Sequence, residues 1–410
     1  MIKKPMGDGI PKWLMISTLF VVVCALAVIE TLLPLHTSTS IPPPRQYSVN
    51  KSSSHNSNRK YIGSIVQKDL LQITPKSSTK GKRRKVTHIG FLKVYKAGSS
   101  TLANIFFRFG INHNLTFVLP TKGYQFMGTN YSAMPVKPGQ HRDILACHSV
   151  YSRIFFGSVL PEDSVKIGII REPSERMVSA AYYYRDVWKR KYLLKVPKLN
   201  FIHNLVERPD LYETKPFSET KNAMGHVFGF SPSITVNDTE AIEKHLDLLK
   251  KDFKQVLVME RFEESLILMK RTLNWDLADV IYLKRNSHAH QPVIFGPDEL
   301  KKFKNTCFLD YAVYETFYEI FDKKIDAEGP DFINEVEHFN SVLQSVRDFC
   351  KLGSMNPPQI SLRISQSVWN EPFEVTKQDC HYMKMGAFKL MDFLKERHRE
   401  MNMNHDIVSR

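Results

Sequence analysis

Apolar runs alternate with amphipathic segments through the middle of the chain. Largely β-branched apolar runs predict buried strands, and they lie at residues 88–94, 165–170 and 255–259. Apolar side chains that recur every three or four residues predict helices, which we place at residues 101–109, 174–187, 241–252 and 263–273. Strands that alternate with helices in this way indicate an α/β fold, three layers thick, with a largely parallel sheet. The chain has no internal repeats, and residues 325–410 predict helix only in places.

A short polar turn follows the first predicted strand. Residues 96–101 supply one cation, one glycine and three hydroxyls, and a helical apolar stripe follows at Leu102, Ile105, Phe106 and Phe109. The start of a helix offers unpaired N–H groups and the positive end of the helix dipole, and a glycine lets the backbone approach an anion closely. The order differs from a nucleoside-triphosphate P-loop, in which Lys follows the second glycine. The turn therefore predicts a phosphate site, with an ordinary Ser/Thr-rich helix cap as the alternative.

A second turn of this kind follows the strand at residues 165–170. Arg171 ends that strand, Pro173 suits the first turn of a helix, and Ser179 lies just over two helical turns beyond Arg171. An arginine fork binds phosphate through two hydrogen bonds. We therefore predict that Arg171 and Ser179 reach one phosphate. The alternative is a salt-bridged helix start, in which nearby glutamates neutralise Arg171 and Arg176.

Both turns resemble the cofactor motifs of sulfotransferases that use 3′-phosphoadenosine 5′-phosphosulfate (PAPS). The order Lys-x-Gly-Ser-Ser is similar to their 5′-phosphosulfate loop, and Arg-Glu-Pro-x-x-Arg-x-x-Ser-x-x-Tyr is similar to their 3′-phosphate motif. The resemblance implies that Lys96 stabilises the bridging oxygen of the leaving phosphate and that Arg171 and Ser179 hold the 3′-phosphate. It implies that the 5′-phosphate is held by Ala97, Gly98, Ser99, Ser100 and Thr101, together with Lys96.

Further stretches are similar to the galactose 3-O-sulfotransferase family of Golgi enzymes. They fall within residues 86–350 and comprise residues 91–110, 222–230, 258–271, 275–282 and 337–340. The resemblance implies a sulfotransferase fold with P-loop-like phosphate-binding turns. Two features depart from the family pattern. Tyr95 stands where the family commonly has His before the loop lysine, and Ala97-Gly98 stands where Thr-Ala is usual.

The family resemblance implies transfer of a sulfuryl group from PAPS to a hydroxyl, the 3-OH, of a galactose on a glycolipid or glycoprotein glycan. By analogy with phosphoryl transfer, charge spreads over the equatorial oxygens, and we expect no metal to be needed. A neutral imidazole suits the task of taking the acceptor proton. A family histidine lies at about the place of His148, which is our candidate base, with His141 and His226 as alternatives. A structural role competes for each histidine.

The N-terminal part of the chain has the pattern of a membrane anchor. Residues 1–12 carry three lysines, and residues 13–34 are almost wholly apolar and long enough to cross a bilayer. Residues 35–86 are rich in Ser, Pro, Lys and Asn, which predicts a flexible stem. We expect a cytosolic tail, a transmembrane signal-anchor, a stem and a lumenal sulfotransferase domain at residues 87–400, in the Golgi membrane with type II orientation. A cleaved signal peptide is the alternative for the apolar run.

The cysteines are consistent with a lumenal domain. Cys24 lies within the predicted anchor, and the other four allow two disulfides in three connectivities. We favour Cys350–Cys380, which would tie down the C-terminal tail. No C-x-x-C spacing occurs, so neither a zinc nor an iron–sulfur site is expected. Glycosylation triplets support the same compartment, and they begin at Asn50, Asn114, Asn130 and Asn237.

Charge and motif content separate the remaining function classes. The formal net charge of +15 is consistent with binding to nucleic acid, to a membrane surface or to acidic ligands. A lumenal protein does not meet genomic DNA. PAPS, in contrast, is strongly anionic and would suit a basic protein. A metal-dependent glycosyltransferase would carry Asp-x-Asp, and Asp238-Thr-Glu240 is the nearest sequence. A PAPS- or glycan-binding pseudoenzyme and a sulfotransferase for another glycan position stay open, as does a homodimer. Aromatic rings could stack on galactose or serve the core, and the candidates are Tyr124, Phe126, Trp188 and Tyr192.

Overall fold

The structure is a computed structural model that describes residues 84–127, 132–284, 292–351 and 360–408, with side chains up to residue 400. The predicted cytosolic tail, the transmembrane anchor and nearly all of the stem lie outside the described residues. Among the helices that are described, none has the length and apolar character needed to cross a membrane.

Eight strands are present in the described part of the chain. In chain order they are β1 (Ile89–Phe91), β2 (Gln125–Phe126), β3 (Ile144–Leu145), β4 (His148–Ser149), β5 (Val165–Ile170), β6 (Phe253–Val258), β7 (Ser361–Ile364) and β8 (Phe373–Thr376). The central sheet has the order β3–β1–β5–β6, and all of its neighbouring pairs are parallel. The expected α/β class with a largely parallel sheet is therefore confirmed.

Helices account for most of the remaining described chain. In chain order they are α1 (Ser99–Asn112), α2 (Arg153–Val159), α3 (Pro173–Asp186), α4 (Lys191–Leu194), α5 (Phe201–Glu207), α6 (Pro209–Tyr212), α7 (Ala223–Val227), α8 (Thr239–Asp252), α9 (Phe262–Leu273), α10 (Leu277–Val280), α11 (Pro297–Thr306), α12 (Phe308–Asp326), α13 (Asp331–Lys351), α14 (Lys377–Lys384) and α15 (Ala387–Val408). The four helices predicted from periodicity correspond to α1, α3, α8 and α9.

Helices cover both faces of the sheet, because each face of β1 is apolar. Phe91 packs on Phe106 of α1, with ring centroids 5.0 Å apart. Gly90 faces the other way, where a Cβ atom would lie 2.9 Å from Phe156 of α2. The missing side chain therefore lets α2 pack closely on this face. This arrangement gives the expected three layers and places the carboxyl ends of β1 and β5 side by side.

Outside the two turns, residues in the stretches that carry the family resemblance hold elements of the core together. Trp275 is buried, stacks on Phe109 of α1 with centroids 3.7 Å apart, and donates its indole N–H to the Val86 carbonyl at 2.9 Å. The Ser265 hydroxyl bonds both backbone polar groups of Val258, at 3.0 and 3.1 Å. These residues fix α1 and the end of β6 to their neighbours.

The C-terminal segment packs against α1, the helix that follows the first turn. The Asn104 amide of α1 donates to the carbonyls of Tyr382 and Met385, at 2.9 and 3.1 Å. Lys395 of α15 donates to the Gly123 carbonyl at 2.5 Å. The C-terminal helices thus brace the element that carries the first turn.

One disulfide is present in the described residues, between Cys350 and Cys380. It joins the end of α13 to α14 and confirms the favoured pairing. Cys147 and Cys307 are buried free thiols. They lie in separate parts of the core, so the second disulfide that four cysteines allow does not form.

Candidate functional site

The first turn has the backbone of an anion site. Lys96 and Gly98 both adopt left-handed conformations, with φ of 60° and 68°, and Gly98 caps α1 without any side-chain hydrogen bond. The buried Ser99 hydroxyl donates to the Val94 carbonyl at 2.5 Å, which pins the turn to the end of β1. The Thr101 N–H donates to the Gly98 carbonyl at 3.0 Å, so the N–H groups of Ser99 and Ser100 are the ones that lack an acceptor within the helix. A left-handed turn before a helix start forms a concave row of N–H groups suited to phosphate.

Lys96 carries the positive charge of this turn. Its ammonium lies 4.0 Å from the centroid of the Tyr183 ring, a cation–π contact from α3. Burial, together with the neighbouring charge of Arg171, lowers the pKa of Lys96. No carboxylate in the described residues forms an ion pair with Lys96. An anionic ligand would therefore restore favourable electrostatics at this residue.

Arg171 brings the second turn against the first. One of its guanidinium nitrogens donates to the Lys96 carbonyl at 3.1 Å, and another lies 3.3 Å from Glu175. Ser179 is half-buried on α3, the helix that Arg171 precedes. Arg171 therefore contacts the first turn directly, at the carboxyl ends of neighbouring parallel strands.

Arg176 has a different role from Arg171. It is fully buried and pairs with the fully buried Asp310 of α12 at 3.1 Å. Asp310 also accepts from the N–H groups of Met224 and Gly225, at 2.7 and 3.0 Å. The alternative of a salt-bridged helix start holds for Arg171, which forms an ion pair with Glu175. It does not hold for Arg176, whose ion pair is with Asp310 in the core.

His148 lies beside the first turn, at the start of β4. Its Nδ1 is 2.9 Å from the Lys93 carbonyl, so that nitrogen carries the proton and donates. In the neutral ring this leaves the lone pair on Nε2. Burial and the charge of Lys93 lower the pKa of His148 well below 6.5, which keeps the imidazole neutral at pH 7.

Tyr95 takes the place of the family's usual histidine and supports His148. The two rings stack with centroids 4.1 Å apart and planes 10° apart. The Tyr95 hydroxyl donates to the Gln125 side chain at 3.3 Å, and burial raises the pKa of Tyr95 to about 12. Tyr95 is therefore a neutral phenol that orients the imidazole and does not act as a second base.

Lys93 was not singled out in the sequence, and the structure buries it beside this site. Its side chain is 1% exposed, and its ammonium lies 6.0 Å from the Phe388 ring of α15. No carboxylate in the described part of the chain pairs with it. Burial lowers the pKa of Lys93 to about 8. A lysine inside an apolar strand run is the sequence signal that could have identified it.

The alternative bases lie elsewhere. His141 is exposed and contacts Asp143, at the amino end of β3 and thus at the opposite edge of the sheet from the turns. His226, in α7, packs against the Phe217 ring, with ring centroids 4.9 Å apart. In the described part of the chain, neither histidine forms a hydrogen bond or an ion pair with Lys96 or Arg171. Of the three, the structure brings His148 alone next to the first turn.

The aromatic candidates for galactose stacking divide by exposure. Phe126 is buried in the core, which excludes a stacking role. The Tyr124 hydroxyl donates to Asp392 at 3.0 Å, and the Tyr192 hydroxyl donates to Glu219 at 3.1 Å. Trp188 is 52% exposed and keeps a free ring surface. The nearest sequence to Asp-x-Asp forms a local turn, since Asp238 accepts from the N–H and hydroxyl of Thr235.

Comparison with known proteins identifies the group to which this fold and site belong. The family model described as Galactose-3-O-sulfotransferase matches residues 14–363. The chain belongs to the galactose-3-O-sulfotransferase family. The resemblance stated from the sequence motifs is thereby confirmed, over a larger part of the chain than those motifs spanned.

Individual relatives in the family are distant. Galactose-3-O-sulfotransferase 2 of Mus musculus is 28% identical over 257 residues, which cover 59% of this chain and 64% of that protein. The Homo sapiens protein of the same name is 27% identical over 304 residues, covering 70% of this chain and 74% of that protein. Galactosylceramide sulfotransferase of Homo sapiens is 29% identical over 276 residues, covering 64% of each chain. The match to the mouse protein thus spans just under two thirds of its length.

Proposed function

We propose that this chain transfers a sulfuryl group from PAPS to a galactose hydroxyl, the 3-OH, on a glycolipid or glycoprotein glycan. The observation that carries the proposal is the hydrogen bond from Arg171 to the Lys96 carbonyl. It joins a turn suited to one phosphate to an arginine suited to another. PAPS carries phosphates at both its 3′ and 5′ positions, whereas ATP carries none at the 3′ position. Family membership supports the same donor.

The residues of the first turn fit an anionic donor. The Gly98 backbone and the first N–H groups of α1 would hold the 5′-phosphate, with the hydroxyls of Ser100 and Thr101 as further donors. Ser99 contributes its N–H only, because its hydroxyl is bound to Val94. Bound PAPS would supply the sulfuryl group and a phosphate leaving group. Lys96 would stabilise the charge that develops on the bridging oxygen, and Arg171 and Ser179 would hold the 3′-phosphate.

His148 is suited to take the proton of the acceptor hydroxyl. The hydrogen bond from Nδ1 to the Lys93 carbonyl presents the Nε2 lone pair as the acceptor of that proton. A general base works best with a pKa near the working pH. The low pKa of His148 without a donor would rise when the negative charges of PAPS partly offset Lys93. The base would therefore become stronger when the donor is in place.

The proposed acceptor rests on the relatives, and the proposed cellular location rests on the sequence. The acceptor class comes from relatives named as galactose-3-O- and galactosylceramide sulfotransferases. We propose residence in the Golgi membrane, with a type II orientation set by the anchor at residues 13–34. A pseudoenzyme is the competing function, because Tyr95 replaces a histidine. The neutral His148 with a free Nε2 favours catalysis.

Transfer from labelled PAPS by the full chain tests the proposal. The acceptors are a β-galactosyl lipid, a β-galactosyl N-glycan and an O-glycan, and sulfated positions are read by mass spectrometry. The variants are Lys96→Ala and His148→Ala. Their matched controls are Lys250→Ala, which removes an exposed lysine paired with Asp247, and His113→Ala. We expect 3-O-sulfated galactose, reduced at least 100-fold by either site variant and unchanged by either control.

Each other outcome has a defined meaning. Sulfation at another position would retain the sulfotransferase and discard the 3-OH. Adenosine 3′,5′-bisphosphate binding without transfer to any galactoside would favour the pseudoenzyme. A chain that binds neither PAPS nor the bisphosphate would refute the proposal as a whole.

A further inference from the structure

A second cluster of polar side chains lies at the amino ends of the central strands, away from the phosphate turns. His88 immediately precedes β1, Asp143 immediately precedes β3, and Asp163 lies two residues before β5. The order β3–β1–β5 makes these three strands neighbours. His141, two residues before Asp143, completes the cluster. Residues from three separate parts of the chain are thus brought to one edge of the sheet by the strand order.

Three of the side chains, those of His88, His141 and Asp143, each present one possible ligand atom to the others. Asp143 Oδ1 lies 3.3 Å from His88 Nε2 and 3.0 Å from His141 Nε2. All three atoms lie within 4.8 Å of one another. Around tetrahedral Zn²⁺, with bonds of about 2.0–2.2 Å, neighbouring ligand atoms are separated by roughly 3.3–3.5 Å. The spacing to Asp143 is therefore close to the edge of a zinc coordination tetrahedron.

Two of the three ligands, His88 and Asp143, are also held from the other side by neighbouring groups. His88 Nδ1 lies 2.7 Å from Asp163 Oδ1, so the carboxylate holds the ring with Nε2 turned inward. Asp143 Oδ2 accepts from the Thr116 N–H at 2.6 Å and from its hydroxyl at 2.8 Å. Carboxylate–histidine pairs and hydrogen-bonded carboxylate ligands are the usual support of metal sites in proteins. The cluster thus has both a ligand set and the contacts that orient it.

The backbone makes the positions rigid. The Ile89 N–H donates to the Asp143 carbonyl at 2.7 Å, and the Val165 N–H donates to the His88 carbonyl at 2.9 Å. These bonds belong to the first rungs of the parallel sheet. A ligand bound by His88 and Asp143 would therefore fasten β1 to β3 directly, and β5 through Asp163.

We propose that His88 Nε2, His141 Nε2 and Asp143 Oδ1 bind one Zn²⁺ ion, with the fourth position open to water. Two neutral imidazoles and one carboxylate form a donor set that zinc commonly takes. Binding displaces any protons on the two ring nitrogens. The site lies at the opposite edge of the sheet from Lys96 and His148, and an ion bound there would link β1 to β3. The transfer reaction requires no metal in our proposal, and the two proposals are independent.

Zinc titration of the full chain, with any affinity tag removed and metal stripped by a chelator, tests this inference. The decisive variant is His141→Ala, because His141 is 59% exposed and its loss leaves the core intact. The matched control is His113→Ala, which removes another half-exposed histidine paired with an aspartate, Asp279. We expect one equivalent of Zn²⁺ per chain, at least 10-fold weaker binding in His141→Ala and unchanged binding in the control.

Two further measurements separate zinc binding from a plain hydrogen-bonded cluster. Co²⁺ in place of Zn²⁺ should give the visible absorption of a tetrahedral site, and Zn²⁺ should raise the unfolding temperature of the wild type but not of His141→Ala. Zinc that binds with equal affinity to wild type and His141→Ala would refute the site. Absence of a stoichiometric equivalent in the wild type would do so as well, and would show that Asp143 only accepts hydrogen bonds from the two rings. Sulfate transfer is measured separately, so either proposal can fail without the other.

Discussion

The buried ammonium of Lys93 should make the protein less stable than it could be. A cation that loses water without gaining a carboxylate partner favours its neutral form. Burial lowers the pKa of Lys93 from 10.5 to about 8. Each pKa unit corresponds to about 1.4 kcal/mol, so the charge costs about 3 kcal/mol of folding free energy at pH 7. Lys93→Met keeps the length and apolar stem of the side chain and removes the charge.

The pH dependence gives this prediction its sharpest test. Between pH 8 and pH 10.5 the unfolded chain binds more protons than the folded chain at this residue, so the stability of the wild type rises with pH across that range. We expect Lys93→Met to be more stable than wild type by about 3 kcal/mol at pH 7 and by under about 1 kcal/mol at pH 10. Below pH 7 the difference should stay constant.

Equilibrium denaturation of both proteins in urea, at pH 7 and pH 10 without reductant, measures the difference. Lys250→Met is the matched control, because it makes the same substitution at an exposed lysine that pairs with Asp247, and we expect its stability to match that of the wild type at both pH values. The reasoning is refuted if Lys93→Met is less stable than wild type at pH 7. It is also refuted if the stability difference is the same at both pH values, because the gain would then come from packing.

The remaining predictions concern catalysis, a buried pair and the disulfide. Lys93→Met should raise the pKa of His148, so the acid limb of the pH profile of kcat/KM should move to higher pH; an unmoved limb would exclude His148 as the base. Asp310→Asn should cost about 3–5 kcal/mol of stability by leaving its buried arginine unpaired, measured by urea denaturation; a loss below 1 kcal/mol would contradict this. Opening the Cys350–Cys380 bridge by a Cys350→Ser/Cys380→Ser double variant should cost about 3–4 kcal/mol for a loop of 30 residues, and an unchanged urea midpoint would contradict the loop model.

Local sequence patterns were sufficient to predict the strands, turns and helices that carry the candidate site. The strands, the two turns and the helices after them are each encoded within about twenty residues, through burial periodicity and turn composition. Side-chain pairings across long separations leave no such signal. Asp310 is 134 residues from its partner Arg176, and the stacking of Tyr95 on His148 crosses 53 residues. The cluster around Asp143 depended on the strand order, which composition does not specify.

The contacts between the C-terminal segment and α1 join residues that are far apart in sequence, and they therefore form late in synthesis of the chain. The hydrogen bonds from Asn104 reach partners 278 and 281 residues further along the sequence. At roughly 5–20 residues per second of translation, those partners emerge about 14–56 seconds after the helix they support. The first turn therefore lacks this support while most of the chain is being synthesised. Such non-local contacts predict slow folding, and they make the growing chain a client for chaperones rather than a domain that folds as it appears.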